Sequence, residues 1–411
     1  MRRIHISITI LALVAAACTT TATTDTTRPA ATSLVVTTTS TMPPPTLVVD
    51  PISAPDTLEV WVPDVLVRSV GSAAGAFEID TGISVDVKAF DFENMLAVLL
   101  ADPAGGPDVF IGPHTWLTEL TRAGIAEPTE IRSEVVAGAA EAVTLRGFSY
   151  AAPLALDTVV QFRETNVMAT APESVEELAA GCPVGDEVVP CLLLSSDSTG
   201  GHYPFITALG GYVFGPDEFD GWNSDDIGIA GAEAISGGLI LESIIDGAGI
   251  LGDGQSTAVE RFIDGDAPLL WGDAASLAAL GIAGVVFSTE SIPSIGERTA
   301  PTPIRVTAAW INAFSAHKEA AAVLVNEYLA NPVNAEPMAI ALGMAPVTIG
   351  FQDDPHLIPF IQAARTGHPV PTIAATELAW SELAKAFEAI RGGDDVADSL
   401  IAAAANIRAG G

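Results

Sequence analysis

The sequence predicts an α/β protein of two lobes, each with a mixed, mostly parallel sheet flanked by helices. Strand patterns and helix patterns alternate along the chain. About 360 residues follow residue 55, which is enough for two lobes of roughly 100 to 200 residues each. Hydrophobic residues make up 49% of the chain, which favours a globular protein despite its high charge.

The first lobe is predicted from strand, helix, strand units. Leu58–Val62 and Ile83–Val87 have the composition of β-strands, and a helical pattern lies between them and ends at Gly82. This order is the βαβ unit of a parallel sheet. A helix is expected at Met95–Leu100 and a short buried strand at Asp108–Ile111, which continues the alternation of helix and strand.

Strand and helix patterns continue to the C-terminus and predict a second α/β lobe. Strands are expected at Tyr150–Leu154, Thr158–Phe162, Leu192–Leu194, Pro268–Trp271 and Ala308–Ala313. Helices are expected at Leu117–Gly124, Pro172–Leu178, Tyr203–Leu209, Ala230–Asp246, Ser256–Asp264, Lys318–Leu329, His356–Arg365, Glu377–Ile390 and Val396–Ile407.

The N-terminus has the features of a secretory signal. Arg2 and Arg3 precede an apolar run from Ile8 to Ala17, which is shorter than the roughly 20 residues of a membrane-spanning helix. We expect residues 1–17 to be removed. Ala15-Ala16-Ala17-Cys18 resembles the bacterial lipobox and implies lipidation, with palmitate, at Cys18. The alternative is an ordinary signal peptide cut after Ala17.

Residues 18–55 are predicted to form a tether. They are rich in threonine, alanine and proline, with a run of Pro43-Pro44-Pro45. Such a composition buries no core, and proline keeps the segment extended. A lipid anchor at Cys18 followed by this tether predicts an exported protein held at the outer face of the cytoplasmic membrane.

Charge and cysteine content narrow the function further. The chain has 51 acidic and 17 basic residues, a formal charge of −34, which disfavours nucleic acid as a partner. After Cys18 is set aside, Cys182 and Cys191 remain in an oxidising compartment and are expected to form a disulfide. A metal site at this pair lacks nearby histidines, so we predict no metal.

Common catalytic and cofactor motifs are missing from the sequence. It has no P-loop, G-x-S-x-G or H-E-x-x-H motif. We therefore predict a protein that is not an enzyme and needs no cofactor.

Five collinear segments carry a family resemblance. They are Phe77–Val85 (FEIDTGISV), Gly106–Phe110 (GPDVF), Gly210–Phe214 (GGYVF), Val259–Pro268 (VERFIDGDAP) and Trp310–Ala321 (WINAFSAHKEAA). Together they resemble the type 1 extracellular solute-binding proteins, the family of the maltose-binding proteins. The resemblance covers the chain from about residue 56 to its end.

The resemblance implies a two-lobed periplasmic-binding-protein fold (type II) whose lobes close on a ligand. Lobe 1 is expected at residues 56–156 and 309–365, and lobe 2 at residues 157–308 and 366–411. The crossing segments between them are expected near Asp157, Ala309–Ile311 and Arg365–His368. Such a protein is the monomeric binding component of an ABC-type importer and delivers its ligand to membrane permease subunits.

Ligand contacts are expected where strands of open sheets end and where family contact positions align. The carboxylates in this set are Asp64, Asp91, Glu93, Asp157 and Asp273. The aromatic and imidazole residues are Trp61, His114, Trp116, His202, Tyr203, Trp271 and Trp380.

This set of residue types favours a carbohydrate ligand. Carboxylates accept hydrogen bonds from hydroxyls, and indole faces cover the apolar face of a sugar ring. The same residue types also cage quaternary ammonium ions, so an osmolyte of that kind is the alternative ligand. From other classes, a surface glycoside hydrolase would use a carboxylate pair from Asp91, Glu93 and Asp157, and an adhesive module would bind no small ligand.

Overall fold

The computed structural model describes residues 57–184, 187–195, 199–218, 221–246, 250–253, 255–348 and 354–410. The predicted signal peptide (residues 1–17), Cys18 and the predicted tether (residues 18–55) lie outside these residues.

The described residues form helices and strands that alternate along the chain. The strands are β1 Thr57–Val62, β2 Ser84–Ala89, β3 Val109–Pro113, β4 Thr144–Leu145, β5 Phe148–Ser149, β6 Ala151–Asp157, β7 Val160–Glu164, β8 Cys182–Val184, β9 Glu187–Val189, β10 Leu192–Ser195, β11 Phe214–Pro216, β12 Trp222–Ile227, β13 Ile250–Asp253, β14 Leu269–Gly272, β15 Phe287–Glu290, β16 Pro303–Ile311, β17 Ala345–Pro346 and β18 His368–Pro369. The α-helices are α1 Val67–Thr81, α2 Phe92–Ala101, α3 Leu117–Arg122, α4 Ala137–Ala142, α5 Thr199–Thr207, α6 Ala232–Asp246, α7 Gln255–Ile263, α8 Ala275–Ala283, α9 Lys318–Val323, α10 Pro332–Ala341, α11 Ile358–Thr366, α12 Ala375–Arg391 and α13 Val396–Gly410.

Two larger sheets organise these elements. Sheet 1 has the strand order β17-β6-β16-β3-β1-β2, with β18 paired to the start of β16, and sheet 2 has the order β13-β10-β14-β7-β15. Both sheets are mixed: β1 pairs in parallel with β2 and β3, and β10 with β13 and β14, whereas β16 and β7 run antiparallel to their main neighbours. The predicted βαβ units form the parallel parts.

Sheet 1 is buried on both faces because successive apolar side chains of its strands point to opposite faces. In β1, Leu58 and Val60 pack with Phe77 of α1, whereas Trp61 points to the other face, which Met95 of α2 also covers. Helix α1 ends at Gly82, whose φ of +75° is a left-handed C-cap that glycine adopts without strain.

Sheet 2 shows the same alternation. Leu192 and Leu194 face a core shared with α5, α6, α12 and α13, whereas Leu193 faces a core shared with α7. Helix α11 joins the lobes: Phe360 stacks edge-on against Phe162 of sheet 2, and Ala364 packs beside Gly138 of α4.

Several segments differ from the sequence predictions in form or extent, and helices α4, α8 and α10 were not predicted. Val175–Ala180 forms a 3-10 helix, and Leu324–Leu329 continues α9 as a π-helix. Strand β16 begins at Pro303 because its first residues pair with β6 and β18, partners that are distant in sequence and leave no local signal at residues 303–307.

The predicted disulfide is present between Cys182 and Cys191, with a Cα–Cα distance of 4.9 Å. It closes the hairpin of β8 and β9 at the entrance to β10, and both cysteines are buried in the sheet 2 core.

Candidate functional site

The ends of both sheets meet at a narrow recess. Strands β1, β2 and β3 are parallel, so they end at one edge of sheet 1, and the antiparallel pairing of β16 and β6 brings Arg305 and Asp157 to that same edge. In sheet 2, β14 ends at Gly272, which Asp273 follows. Asp157, Arg305, Trp271, Gly272 and Asp273 line one narrow recess.

Asp157 is the most perturbed carboxyl at this edge. Its Oδ1 is shielded from solvent and has no hydrogen-bond partner. Burial, followed by the nearby negative charge of Asp273, raises the pKa of Asp157 to about 7, while Arg305 and the backbone N–H groups of Ala274 and Thr158 act in the opposite direction. An unpaired, buried oxygen of this kind is available to accept a hydrogen bond from a ligand.

Asp273 and Arg305 complete the polar lining. The Asp273 carboxylate accepts from the backbone N–H and the hydroxyl of Ser276, at 3.3 and 3.2 Å, which fixes it at the start of α8. Arg305 is exposed and lies directly opposite Asp157 in the β6–β16 ladder. Two carboxylates and one guanidinium leave the recess with a net negative charge when both acids are ionised.

Aromatic rings line the neighbouring edge of sheet 1. Phe92 is 40% exposed and lies 5.5 Å from the ring of Trp116. The indole of Trp116 covers Gly112, where an added Cβ would come within 2.1 Å of the ring. Trp61 stacks on Phe90 at 4.2 Å and donates its indole N–H to Glu59 at 2.6 Å, so little of its face is exposed.

The other predicted acids of this edge are exposed. Asp64 lies in the short turn after β1. Asp91 is the N-cap of α2 and accepts from the backbone N–H of Glu93 and the side-chain amide of Asn94. Glu93 lies in the first turn of α2. None of these three acids lines the recess.

A second aromatic group belongs to lobe 2 and to the segment after α11. The Tyr203 hydroxyl lies 3.2 Å from Nδ1 of His368 in β18. The ring of Tyr203 meets Trp380 edge-on at 5.8 Å, and Trp380 is half-buried. Tyr203 and Trp380 are thus brought together as predicted family contact positions would require.

Two predicted contacts lie inside the sheet 2 core instead. Trp271 is 2% exposed, stacks on Phe205 at 5.5 Å and donates its indole N–H to Gln161. His202 is 1% exposed and stacks on Phe387 at 4.5 Å. Their rings have little surface left for a ligand because α5 and α12 cover them.

His114 is also removed from the surface. It is fully buried, and its ring nitrogens meet backbone atoms of Val306 and Val370. Desolvation lowers the pKa of His114 to about 4, which keeps the ring neutral near pH 7.

Comparison with known proteins identifies the family. The family of bacterial extracellular solute-binding proteins matches residues 72–364. The chain belongs to this family.

Relatives and solved structures agree with that assignment. The solute-binding chain is 27% identical over 323 residues to a maltotriose-binding protein of Pyrococcus abyssi, covering 73% of this chain and 69% of the relative. It is 23% identical over 363 residues to a galactooligosaccharide-binding protein of Bacillus subtilis, covering 82% and 85%.

The fold is that of known two-lobed binding proteins. A cyclo/maltodextrin-binding protein in complex with maltotetraose aligns with a TM-score of 0.78 at 20% identity, covering 87% of this chain and 97% of the other. An extracellular solute-binding protein of Staphylococcus aureus in complex with maltose aligns at 0.79 and 19% identity, covering 87% and 98%. The predicted two-lobed α/β fold is thereby confirmed, and the solute-binding protein is an exported one.

Sequence reasoning missed three residues of the candidate site. Phe90 and Phe92 flank Asp91 directly after β2, so the rule that residues after strands come first would have included them. Arg305 had no such signal, because the predicted strand began three residues later.

Two further findings bear on the site and its surroundings. In the described part of the chain, no group of three or more His, Cys, Asp or Glu residues is arranged to hold a metal ion. Across the same residues, every helix falls short of the length and apolar character needed to cross a membrane.

Proposed function

We propose that this protein is the ligand-binding component of an ABC-type importer and captures a mono- or oligosaccharide between its lobes for delivery to permease subunits. The observation that carries the proposal is the recess where the edges of both sheets meet, with the unpaired Oδ1 of Asp157 in its lining. The names of the relatives, which specify maltotriose and galactooligosaccharides, support a sugar.

The residues around the recess suit a polyhydroxylated ligand. Asp157 and Asp273 supply acceptors for hydroxyl groups, and Arg305 supplies donors. On one side Phe92, which is 40% exposed and packs on the buried Trp116, offers an apolar face to a sugar ring.

Lobe 2 contributes the opposite aromatic surface through Tyr203 and Trp380. Within the predicted ligand set, we assign Asp64, Asp91, Glu93 and Trp61 to the rim of the cleft. His114, His202 and Trp271 are assigned to its support, because each is fully or almost fully buried.

We also propose lobe boundaries that follow the sheets. The predicted boundary between residues 156 and 157 adjoins the β6–β7 connection, where the chain passes from sheet 1 to sheet 2. The predicted boundary between residues 308 and 309 falls inside β16, whose residues Arg305 to Ile311 all pair within sheet 1. The second crossing is therefore proposed before Pro303, and the third after Thr372 rather than at residue 365.

The protein is proposed to act as a monomer without catalysis and to be held at the membrane by a lipid on Cys18. The lipobox resemblance supports the anchor. Intact mass of the exported N-terminus tests it: a diacylated Cys18 is expected, and an unmodified Cys18 after cleavage at Ala17 would contradict it.

Ligand binding is tested by titrating tryptophan fluorescence with a panel of mono- and oligosaccharides, alongside glycine betaine and free amino acids. At least one sugar is expected to give saturable binding, because Trp116 and Trp380 flank the proposed cleft. Saturation by betaine with no response to any sugar would show that the ligand is a quaternary ammonium compound and would contradict the proposed sugar. Turnover of a glycoside by the purified protein would show that it is an enzyme.

A further inference from the structure

The backbone ladder between β16 and β18 is interrupted at an unusual point. The N–H of His368 donates to Thr302 O at 2.9 Å, and the N–H of Val370 donates to Ile304 O at 2.9 Å. In a parallel ladder that continued from these bonds, the N–H of Val306 would donate to the carbonyl of Val370.

The imidazole of His114 occupies that rung. The N–H of Val306 donates to Nδ1 of His114 at 3.0 Å, and Nε2 of His114 lies 3.0 Å from the carbonyl oxygen of Val370. A single arrangement satisfies both bonds: a neutral ring with its proton on Nε2. Nδ1 also lies 3.3 Å from Val306 O, but it accepts from the N–H in this arrangement.

The inserted ring separates the two strands where the chain leaves sheet 1. Four residues after His114, the hydroxyl of Thr118 lies 2.6 Å from that of Thr372. Residues 370–372 are thus held to lobe 1 by His114 and Thr118, and α12 begins at Ala375. Helix α12 packs against α5 and α13 and carries Trp380.

We propose that His114 is a positioning residue for ligand binding, because its inserted imidazole fixes the point at which the chain leaves sheet 1 for α12. It touches no ligand. It sets the position of Trp380 and of lobe 2 relative to the sheet 1 edge through the segment at Val370. This inference rests on the proposed function, since ligand closure of the lobes is what the exit point would control.

Three variants of the full mature chain separate positioning from simple packing. His114→Leu keeps an apolar side chain but removes both bonds, and His114→Gln restores one acceptor and one donor. Phe77→Leu, in the other core of lobe 1, is the matched control for lost stability. The sugar that binds most tightly to the unmodified protein is titrated into each variant well below its unfolding temperature.

We expect His114→Leu to weaken affinity by about tenfold or more, because the binding-competent arrangement of the lobes becomes less populated. His114→Gln is expected to recover most of the affinity, and Phe77→Leu to leave it unchanged despite a lower unfolding temperature. Equal affinity for His114→Leu and the unmodified protein would overturn the proposal and leave His114 as an ordinary core residue.

A measurement that needs no ligand keeps the inference independent of the proposed function. Nitrogen chemical shifts of the histidine rings are expected to show His114 as the Nε2–H form, neutral from pH 8 to pH 5. A ring of the Nδ1–H form, or one that titrates near pH 6.5, would disprove the inserted bridge. If no sugar binds, the proposed function fails, while the ring form still decides whether the bridge exists.

Discussion

The edges of sheet 1 and sheet 2 carry similar residue types and use them differently. At the sheet 1 edge, Phe92 remains 40% exposed beside Trp116, and Asp64, Asp91 and Glu93 stay in solvent. At the sheet 2 edge, Trp271 and His202 are buried against Phe205 and Phe387. The difference arises because α5 and α12 pack over this part of sheet 2, so Trp271 in β14 and His202 in α5 become core residues.

Exposed aromatic surface in lobe 2 comes from a helix instead. Trp380 lies within α12 and reaches Tyr203 from the side. The comparison teaches that an aromatic residue near a sheet edge stays exposed only where no helix packs over it.

The largest expected effect tests the core assignment of Trp271. Trp271→Ala should lower the free energy of unfolding by about 3 to 5 kcal/mol, because it removes a fully packed indole and leaves Gln161 without a donor. Urea unfolding measures it. Trp271→Phe is the control that keeps an aromatic ring on Phe205; an alanine variant of near-normal stability would return Trp271 to the ligand set.

Trp380 is the matched case on the same lobe. Trp380→Ala should weaken sugar affinity by on the order of 2 kcal/mol if the indole is a binding hot spot, with a smaller loss of stability than Trp271→Ala. Titration calorimetry with the best sugar checks this. If Trp380→Ala leaves the affinity unchanged and lowers the stability strongly, Trp380 is a core residue like Trp271, and the proposed difference between them is wrong.

The pH dependence of binding tests the recess between the two edges. The pKa of Asp157 is raised to about 7, so the carboxyl is mostly protonated at pH 6 and mostly ionised at pH 8. Hydroxyl donors favour the ionised form, so affinity should rise about tenfold from pH 6 to pH 8, as the competent fraction rises. Asp157→Asn should flatten the profile. A profile of the opposite sign would mean that protonated Asp157 donates to the ligand.

The smallest effect separates capping from ligand contact at Asp91. Asp91→Ala should cost about 1 kcal/mol of stability because α2 loses its N-cap, and Asp91→Asn should retain most of it. Thermal unfolding gives the comparison. Sugar affinity measured on the asparagine variant shows whether the charge contributes at the rim; a large loss there would move Asp91 into the contact set.

Local patterns were sufficient for many of the regular elements and for the family, although α4, α8 and α10 were not predicted. The β1–α1–β2 unit follows from alternation in Leu58–Val62, helical spacing up to Phe77 and the left-handed glycine at residue 82. Five collinear segments were enough to indicate the solute-binding family. Cys182 and Cys191, the two cysteines left after Cys18, predicted the disulfide.

The roles of individual side chains depended on partners that are distant in the chain. His114 resembled a ligand residue by its place after β3, yet Val306 and Val370, which lie 192 and 256 residues away, bind both ring nitrogens. Arg305 joined the candidate site because β16 pairs with β6, whereas Trp271 lines the recess but has its ring buried under α5. Sequence by itself determined many of the segments that form strands and helices, since their patterns depend on neighbours a few residues apart. Burial and hydrogen bonding between distant segments are set only when the sheets and helices pack together, so only the tertiary structure decided which residues remain to meet a ligand.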